Sequence, residues 1–264
     1  MTIAFDFGKN WLNFSRSALT ADKAQQSRQD FRRLLDQVEL KDKSFLDIGF
    51  GQGLALFAAA EAGATVHGCD INPTCAEALA VTGRFFPEIP AESLGLTIGS
   101  ILADQTIDKL RAASGTDGFD VVHSWGALHH TGDMETAIRN AASLVKPGGH
   151  FVLAIYNRHI TSPVWRVIKW LYCKSPAWLQ RAAIALFYPI IWLAKLAVTR
   201  QLPTKLSRGM EFYIDVVDWV GGYPYEYASI DEIERLAGDL GFSRIKVVPA
   251  QVPTGCNEFV FRRN

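Results

Sequence analysis

A short glycine-rich segment is the first place where this chain could do chemistry. Residues 47–53 read D-I-G-F-G-Q-G, directly after the apolar residues 44–46 and directly before the helical pattern 54–60. A strand that enters a glycine turn and then a helix presents backbone N–H groups to a ligand. Alternate glycines let the chain pass beneath a bulky ligand where a Cβ would collide. The spacing departs from the dinucleotide fingerprint G-x-G-x-x-G/A, which needs Gly or Ala where Leu54 stands.

Regular elements follow this segment and would position it. Asp70 ends an apolar run a little under 20 residues later, where a doubly wound fold places the carboxylate that accepts ribose hydroxyls. The patterns predict strands at 44–46, 65–70, 96–101, 119–125, 150–157, 244–249 and 258–261. Helical patterns lie at 21–39, 53–62, 73–83, 104–113 and 133–145, and a capping-box pattern begins another helix at Ser229. Strands that alternate with helices imply a parallel sheet with helices on both faces.

Four motifs, at 45–53, Asp70, 125–130 and 144–149, stand in order along this pattern. Together they resemble the class I S-adenosylmethionine (SAM) methyltransferase family, most of all the branch with quinone-ring and other small-molecule methylases. The resemblance covers about residues 44–157. It implies an α/β fold with a doubly wound, seven-stranded, mostly parallel Rossmann-like sheet, whose last strand is antiparallel, and a helical insertion after the fifth strand.

The expected organisation has four parts. Residues 1–43 form an N-terminal helical lid, and 44–157 form the SAM-binding core. Residues 158–228 form a basic, aromatic-rich cap, and 229–264 supply the last helix and the terminal hairpin of the core.

The resemblance implies SAM as cofactor and S-adenosylhomocysteine as its product. Ligands of such sheets bind outside the carboxyl ends of the strands. The residues expected to hold the cofactor are Asp47, Gly49, Gly51, Gly53, Asp70, Ile71, Ser100, Ile101, Ser124 and Trp125. Many relatives carry an acid near positions 100–101, so adenine recognition here departs from the family pattern. No spacing of acids resembles the site of magnesium-dependent catechol methylases, and we predict no metal.

The expected catalytic residues follow the fourth and fifth strands: His129, His130, Tyr156 and Asn157. Imidazole titrates near neutral pH, so one histidine can remove the proton of an O–H or N–H acceptor. The alternative is that one histidine anchors the loop and the other packs on the next helix. Tyr156 and Asn157 orient the acceptor or the methionine moiety, or else close the strand through a hydrogen bond to the backbone.

The expected substrate wall comes from polar and aromatic residues in connecting segments. These residues are Lys9, Trp11, Arg208, Asp215, Asp218, Tyr223, Tyr225 and Asn257. The alternative is an ordinary surface turn with Asp218 as a local cap.

Composition indicates a soluble intracellular enzyme. The formal net charge is zero, which argues against a nucleic-acid partner along the whole surface. The first residues lack the basic and apolar regions of a signal peptide. Four scattered cysteines without C-x-x-C spacing suggest neither a zinc site nor a disulfide framework. We therefore expect a cytoplasmic protein, with peripheral attachment to the inner membrane face left open.

The zero net charge hides a basic stretch. From 158 to 208 there are nine Lys or Arg residues and no acid, with four of the seven tryptophans. Residues 182–194 are uncharged, a run that is too short to span a bilayer and fits a buried or interfacial helix. Three interpretations compete: a cap over the catalytic mouth, a surface on anionic membranes through 163–200, and an RNA-binding face. The aromatics lie in aliphatic runs, which disfavours RNA. The cations can also receive an anionic acceptor.

These observations predict a SAM-dependent methyltransferase that acts on a small molecule, with O-methylation favoured. Two alternatives remain open. One is an enzyme that uses SAM without methyl transfer, by cyclising or cleaving its aminobutyryl arm. The other is a membrane-associated methylase of a lipid or quinone.

Overall fold

A single seven-stranded sheet organises the molecule. The computed structural model describes residues 4–115, 118–200, 202 and 212–264. The strands are β1 Ser44–Ile48, β2 Thr65–Asp70, β3 Gly95–Ile98, β4 Phe119–Trp125, β5 Val145–Tyr156, β6 Phe242–Val248 and β7 Cys256–Arg263, in the spatial order β3-β2-β1-β4-β5-β7-β6. Strands β1 to β5 pair in parallel, whereas β7 lies antiparallel to both β5 and β6. The predicted doubly wound, mostly parallel sheet is confirmed.

Helices cover both faces of this sheet. They are α1 Phe7–Ser17, α2 Ala21–Leu34, α3 Leu54–Glu61, α4 Thr74–Thr82, α5 Asp104–Ser114, α6 Met134–Ser143, α7 Ser162–Lys174, α8 Ala177–Thr199, α9 Phe212–Gly221 and α10 Ile230–Asp239. Because successive strand residues point to opposite faces, Phe45 joins a core with α1–α4 and Leu46 joins a second core with α5, α6 and α10. Each face of the sheet is therefore buried under its own helical layer.

Three local features differ from the sequence-based expectation. Helix α1 was not predicted; Asp6 caps it by accepting a hydrogen bond from the Lys9 N–H at 3.1 Å. Strand β3 ends at Ile98, so Ser100 and Ile101 lie in the loop that follows it. Residues 145–149, which precede the predicted strand 150–157, also belong to β5, whose register with β4 shifts between Phe119 and Val121. An irregular pairing absorbs the extra residues without ending the strand.

Helices α7, α8 and α9 lie between β5 and α10. They share a small third core that contains Ile184, Phe212, Val216 and Val220. Helix α8 continues beyond the uncharged run 182–194 on both sides, so that it is 23 residues long and contains Arg181, Pro189 and Lys195. At 1.5 Å per residue the helix is about 34 Å long, close to the thickness of a bilayer core. Helix-forming residues on both sides of the run continue the hydrogen-bonded ladder.

By length and composition, α8 is the one helix among the described residues that could span a membrane. Only 6% of the most apolar 18-residue stretch of this helix is buried inside the protein. It is thus apolar and exposed at once, unlike the core helix of a soluble domain.

Candidate active site

The glycine segment forms a tight loop between β1 and α3. Gly49, Gly51 and Gly53 all adopt positive φ angles, of 76°, 54° and 81°, a region that L-residues with a Cβ rarely occupy. A Cβ on Gly49 would lie 2.2 Å from the Cβ of Ala127, and one on Gly51 would lie 3.1 Å from the indole of Trp11. The loop therefore leaves a bare backbone surface that only glycine can provide.

A cavity of about 520 Å³ lies next to this loop. Its walls come from the loop itself, the carboxyl ends of β4 and β5, helices α1, α2, α7, α8 and α9, and residues 252–256. The cavity brings together nine of the predicted site residues: Trp11, Asp47, Gly49, Gly51, Trp125, His130, Tyr156, Asp215 and Asp218. Residues from both ends of the sequence thus meet the glycine loop in one place.

Asp70 lies at the end of β2, beside the loop and outside the cavity lining. Its two carboxylate oxygens accept hydrogen bonds from the backbone N–H groups of Gly51, at 3.1 Å, and Asn72, at 2.9 Å. Burial raises the pKa of this carboxyl, and the two backbone donors oppose that rise. Asp70 thereby ties β2 to the glycine loop. Neighbouring Ile71 is exposed and does not line the cavity.

Four further residues were predicted to bind the cofactor, and their side chains make different contacts. The Ser100 hydroxyl accepts a hydrogen bond from the Leu102 N–H at 3.2 Å, and Ile101 is buried in the core. The Ser124 hydroxyl is buried and donates to the carbonyl of Ile48 at 2.8 Å, so it joins β4 to β1. Trp125 lines the cavity and donates its indole N–H to Glu258 at 2.7 Å. Ser100, Ile101 and Ser124 do not line the cavity.

Sequence reasoning missed His123, which stands opposite Asp47 in the parallel register of β4 and β1. Its Nδ1 lies 2.7 Å from Asp47 Oδ1, and both side chains are almost fully buried. Nε2 has no hydrogen-bond partner among the described residues. The register of the two strands creates this pair, and a single histidine inside an apolar strand gave no signal for it.

The two adjacent histidines occupy different environments. His130 lines the cavity, and its Nδ1 donates a hydrogen bond to the carbonyl of Pro224 at 2.6 Å. His129 is fully buried, 4.1 Å from the Tyr156 ring between centroids, and does not line the cavity. Burial first, and the nearby charge of Lys169, lower the pKa of His130 to about 3, and burial lowers that of His129 well below its usual range. Both rings are therefore neutral and weakly basic.

Tyr156 and Asn157 also separate in the structure. Tyr156 lines the cavity, and burial raises the pKa of its phenol well above the ordinary value. The Asn157 amide donates to the carbonyl of Pro253 at 2.9 Å and accepts from Asn257 at 3.0 Å. Asn257 in turn accepts from the Ala250 N–H at 3.0 Å. These two asparagines hold the segment around 250–256 in place and lie outside the cavity lining.

Tyr225, Tyr223 and Lys9, which were also predicted to contact the substrate, do not line the cavity. Tyr225 is buried behind its wall, with its ring centroid 5.1 Å from that of Tyr156. Tyr223 accepts the Phe5 N–H at its carbonyl, at 2.8 Å, and Lys9 is exposed on α1. Arg208 lies outside the described residues.

Lys169 of α7 is the second residue that sequence reasoning missed. It is fully buried and donates its ammonium hydrogen bond to the carbonyl of Trp219. Its Nζ lies 4.4 Å from the ring centroid of Trp219 and 4.8 Å from that of Tyr225. Burial lowers the pKa of Lys169 to about 7, whereas burial and the charge of Asp215 raise that of Asp218 to about 7. The only sequence signal was a lysine inside a tryptophan-rich stretch.

Lys195 is the one cation of the basic stretch that lines the cavity, among the described residues. It forms an ion pair with Asp215 at 3.2 Å. The same residues contain no group of three or more His, Cys, Asp or Glu side chains that could hold a metal ion.

Comparison with known proteins identifies the family. The model of the family described as "Methyltransferase domain" matches residues 21–193. This chain belongs to the methyltransferase-domain family. The match includes the glycine loop, Asp70, and the ends of β4 and β5, so the resemblance to class I methyltransferases is confirmed.

Relatives by sequence include the ubiquinone biosynthesis O-methyltransferase of Vibrio parahaemolyticus, 34% identical over 126 residues, which are 48% of this chain and 49% of that protein. The Coxiella burnetii protein of the same name is 29% identical over 50% of this chain and 51% of its own length. The chain thus spans about half the length of the curated relatives it matches.

Solved structures show the same fold. An O-methyltransferase family protein from Burkholderia thailandensis aligns with a TM-score of 0.56 and 16% identity, over 91% of this chain and 57% of that one. The magnesium protoporphyrin IX methyltransferase of Synechocystis, with bound S-adenosylhomocysteine, aligns with a TM-score of 0.54 and 15% identity, over 98% of this chain and 89% of that one.

Proposed function

We propose that this protein is a SAM-dependent methyltransferase that methylates a hydroxyl group on a small, planar, aromatic acceptor. One observation carries the proposal: a single cavity joins the bare glycine loop to a wall of aromatic rings and carboxylates. The loop fits the cofactor, because a Cβ at Gly49 or Gly51 would fill its surface. The names of the relatives from Vibrio and Coxiella support O-methylation.

The aromatic wall supports a flat acceptor. Trp165 and Trp219 line the cavity with their ring centroids 5.3 Å apart, and Tyr156 lies 5.3 Å from Trp219 in an edge-to-face contact. Rings of this kind stack on planar ligands and exclude water. Lys195 is paired with Asp215, so within the described part of the chain no lysine or arginine without a carboxylate partner lines the cavity. A neutral acceptor therefore suits this wall better than an anionic one.

The residues divide the work of an in-line displacement. SAM supplies a methyl group that is activated by its bond to a sulfonium sulfur. After transfer the sulfur leaves as a neutral thioether. Gly49 and Gly51 present the backbone to the cofactor, and Asp70 holds the loop through the Gly51 N–H. Trp165, Trp219 and the segment 252–256 align the acceptor and keep water out.

The N-terminal lid and the cap that the sequence predicted both contribute residues to the cavity lining. Helices α1 and α2 contribute Trp11 and Phe31, and α8 contributes Ile191 and Lys195. We assign the N-terminal helices to covering the cofactor and helices α7–α9 to binding the acceptor.

The test combines binding with turnover. Calorimetry with S-adenosylhomocysteine, followed by incubation with SAM and a panel of aromatic phenols, carboxylic acids and amines, should give binding and then S-adenosylhomocysteine with the phenols. Product formed without any acceptor would indicate the alternative chemistry, cyclisation or cleavage of the aminobutyryl arm. Turnover of amines or acids but not phenols would contradict O-methylation.

The exposed face of α8 supports a second proposal, that the protein works on the surface of an anionic membrane. Leu186, Ile190 and Leu193 recur at helical spacing and are all half exposed or more. The opposite face of the same helix supplies Ile191 and Lys195 to the cavity. The exposed Arg181 directly precedes the uncharged run, as cations do on helices that lie in a headgroup layer. An amphiphilic acceptor could pass from the bilayer to the cavity along α8.

Liposome flotation tests this second proposal. Wild type should float with vesicles that contain phosphatidylglycerol and remain free of pure phosphatidylcholine vesicles. The double variant L186E/L193E should lose binding, whereas A112E/A113E, which adds the same charge on the exposed part of α5, should keep it. Equal flotation of the two variants would reject α8 as the membrane contact.

A further inference from the structure

Asp218 occupies an unusual place among the carboxylates of the cavity. It lines the wall next to Trp219, and its Oδ1 accepts a single side-chain hydrogen bond, from the Asn10 amide at 3.3 Å. Asp215, one helical turn earlier, is already engaged by Lys195. Among the described residues Asp218 forms no ion pair within 4 Å. It is therefore a carboxylate that faces the cavity with capacity to accept another proton donor.

Lys169 lies behind this carboxylate. Its ammonium donates to the carbonyl of Trp219, the residue after Asp218, and so ties α7 to α9 at this point. The aromatic rings of Trp219, Tyr225 and Tyr156, at 4.4, 4.8 and 5.7 Å from Nζ, surround the charge. A buried cation without a carboxylate in contact attracts the nearest negative charge through space. Lys169 thus stabilises the ionised form of Asp218.

His130 is poorly suited to be the base. Its Nδ1 already carries the proton that it donates to Pro224, so accepting another at Nε2 would create a buried imidazolium. The ring makes a tilted contact with that of Phe7, 4.6 Å between centroids, and the positive charge of Lys169 opposes a second one nearby. His129 has no access to the cavity.

We propose that Asp218 is the catalytic base that takes the proton of the acceptor's hydroxyl, and that Lys169 is a positioning residue that, while protonated, favours the ionised form of Asp218. This inference rests on the proposed function. The O–H bond of the acceptor breaks, and its proton forms a new O–H bond on the Asp218 carboxylate. The electron pair stays on the acceptor oxygen and forms the new bond to the methyl carbon. The pair of the broken carbon–sulfur bond stays on sulfur, so charge and atoms balance.

The charged groups around Asp218 give this step a pH dependence. Those that face it are Lys169 from α7, Asp215 from α9, Lys195 from α8, His130 after β4 and Tyr156 from β5, with the neutral Asn10 from α1. Since burial and Asp215 raise the pKa of Asp218 to about 7, the carboxylate is protonated below that pH and cannot accept. The rate should fall as the pH drops through about 7.

A spectroscopic probe tests proton transfer without turnover. We choose 7-hydroxy-4-methylcoumarin, a planar phenol whose anion absorbs at longer wavelength, bound to the protein saturated with S-adenosylhomocysteine. At a pH between about 7 and the pKa of the free probe, wild type should produce the anion band. D218N should bind the probe without the band, and D239N, an exposed aspartate of α10, should behave as wild type.

Kinetics on the best acceptor of the panel provide the second readout. D218N should lower kcat by about 10²–10⁴-fold, the usual contribution of a general base, and should abolish the fall in rate at low pH. K169M should move that fall to higher pH, because Asp218 loses its positive neighbour. H130Q should keep the wild-type pH profile.

The outcomes distinguish failure of the proposed function from failure of the role proposed for Asp218. Failure of S-adenosylhomocysteine to bind would overturn the proposed function. Binding of it with no anion band in wild type, no binding of the probe, or an unchanged band in D218N would overturn the role of Asp218 alone. Loss of both the band and the pH profile in H130Q, with D218N active, would identify His130 as the base. An unshifted pH profile in K169M would remove Lys169 from the proposal.

Discussion

Replacing Lys169 by methionine should make the protein more stable at neutral pH and less stable at alkaline pH. Methionine has a similar length and no charge, and the site is fully buried. Burial lowers the pKa of Lys169 from 10.5 to about 7, which at about 1.4 kcal/mol per pH unit amounts to about 5 kcal/mol lost by burying the protonated form. The substitution removes this loss.

The loss of a hydrogen bond partly offsets this gain in stability. The carbonyl of Trp219 loses the ammonium donor and stays buried, at a cost of about 1–3 kcal/mol. The net stabilisation of K169M is therefore about 2–4 kcal/mol at pH 6.5, from the difference of these terms.

The sign reverses with pH. Between about 7 and 10.5 the unfolded chain binds a proton at Lys169 that the folded chain does not, so wild-type stability rises with pH through this window. The methionine variant lacks this contribution, and its advantage falls as the pH rises. Near pH 10 the cost of the orphaned carbonyl dominates, and K169M should be the less stable protein by up to about 3 kcal/mol.

Urea unfolding of wild type and K169M from pH 6.5 to 10 measures these differences. K174M serves as the matched control, because Lys174 ends the same helix and is exposed; it should stay within about 0.5 kcal/mol of wild type throughout. A K169M protein that is less stable than wild type at pH 6.5, or a difference that does not change with pH, would refute the reasoning.

Three further predictions concern other parts of the site. G49A should lower affinity for S-adenosylhomocysteine at least tenfold in calorimetry, because the new Cβ meets Ala127 at 2.2 Å and the φ of 76° is strained; wild-type affinity would contradict the tight loop. H123L should lower the free energy of unfolding by about 3 kcal/mol, since it leaves the buried Asp47 carboxylate without its partner; a loss below about 1 kcal/mol in urea would show that the pair is not coupled. W165A should raise KM for the acceptor and leave S-adenosylhomocysteine affinity unchanged, because the ring lies on the wall formed by α7; an equal loss for both ligands would place Trp165 with the cofactor.

Local sequence was enough to predict the sheet and the glycine loop. Strands and helices have different hydrophobic periods, and their alternation leaves a parallel sheet as the regular solution. The glycines at 49, 51 and 53 stand where φ is positive, a requirement that belongs to the residue itself. Asp70 ends β2 beside the loop, as its spacing indicated, because the carboxyl ends of β1 and β2 share one edge. These features depend on residues that are close in the sequence or on the regular pairing of consecutive strands.

The rest of the cavity wall depended on contacts that no spacing encodes. Lys169 and Asp218 lie 49 positions apart and come together only because α7 packs on α9. His123 meets Asp47 through strand register, and His129 and His130 differ in access although they are adjacent. Burial and through-space charge set their pKa values, and both are properties of the packed chain. The sequence by itself determined the sheet, the glycine loop and the family. The tertiary structure alone decided which polar groups face the cavity, because burial is a property of three-dimensional packing.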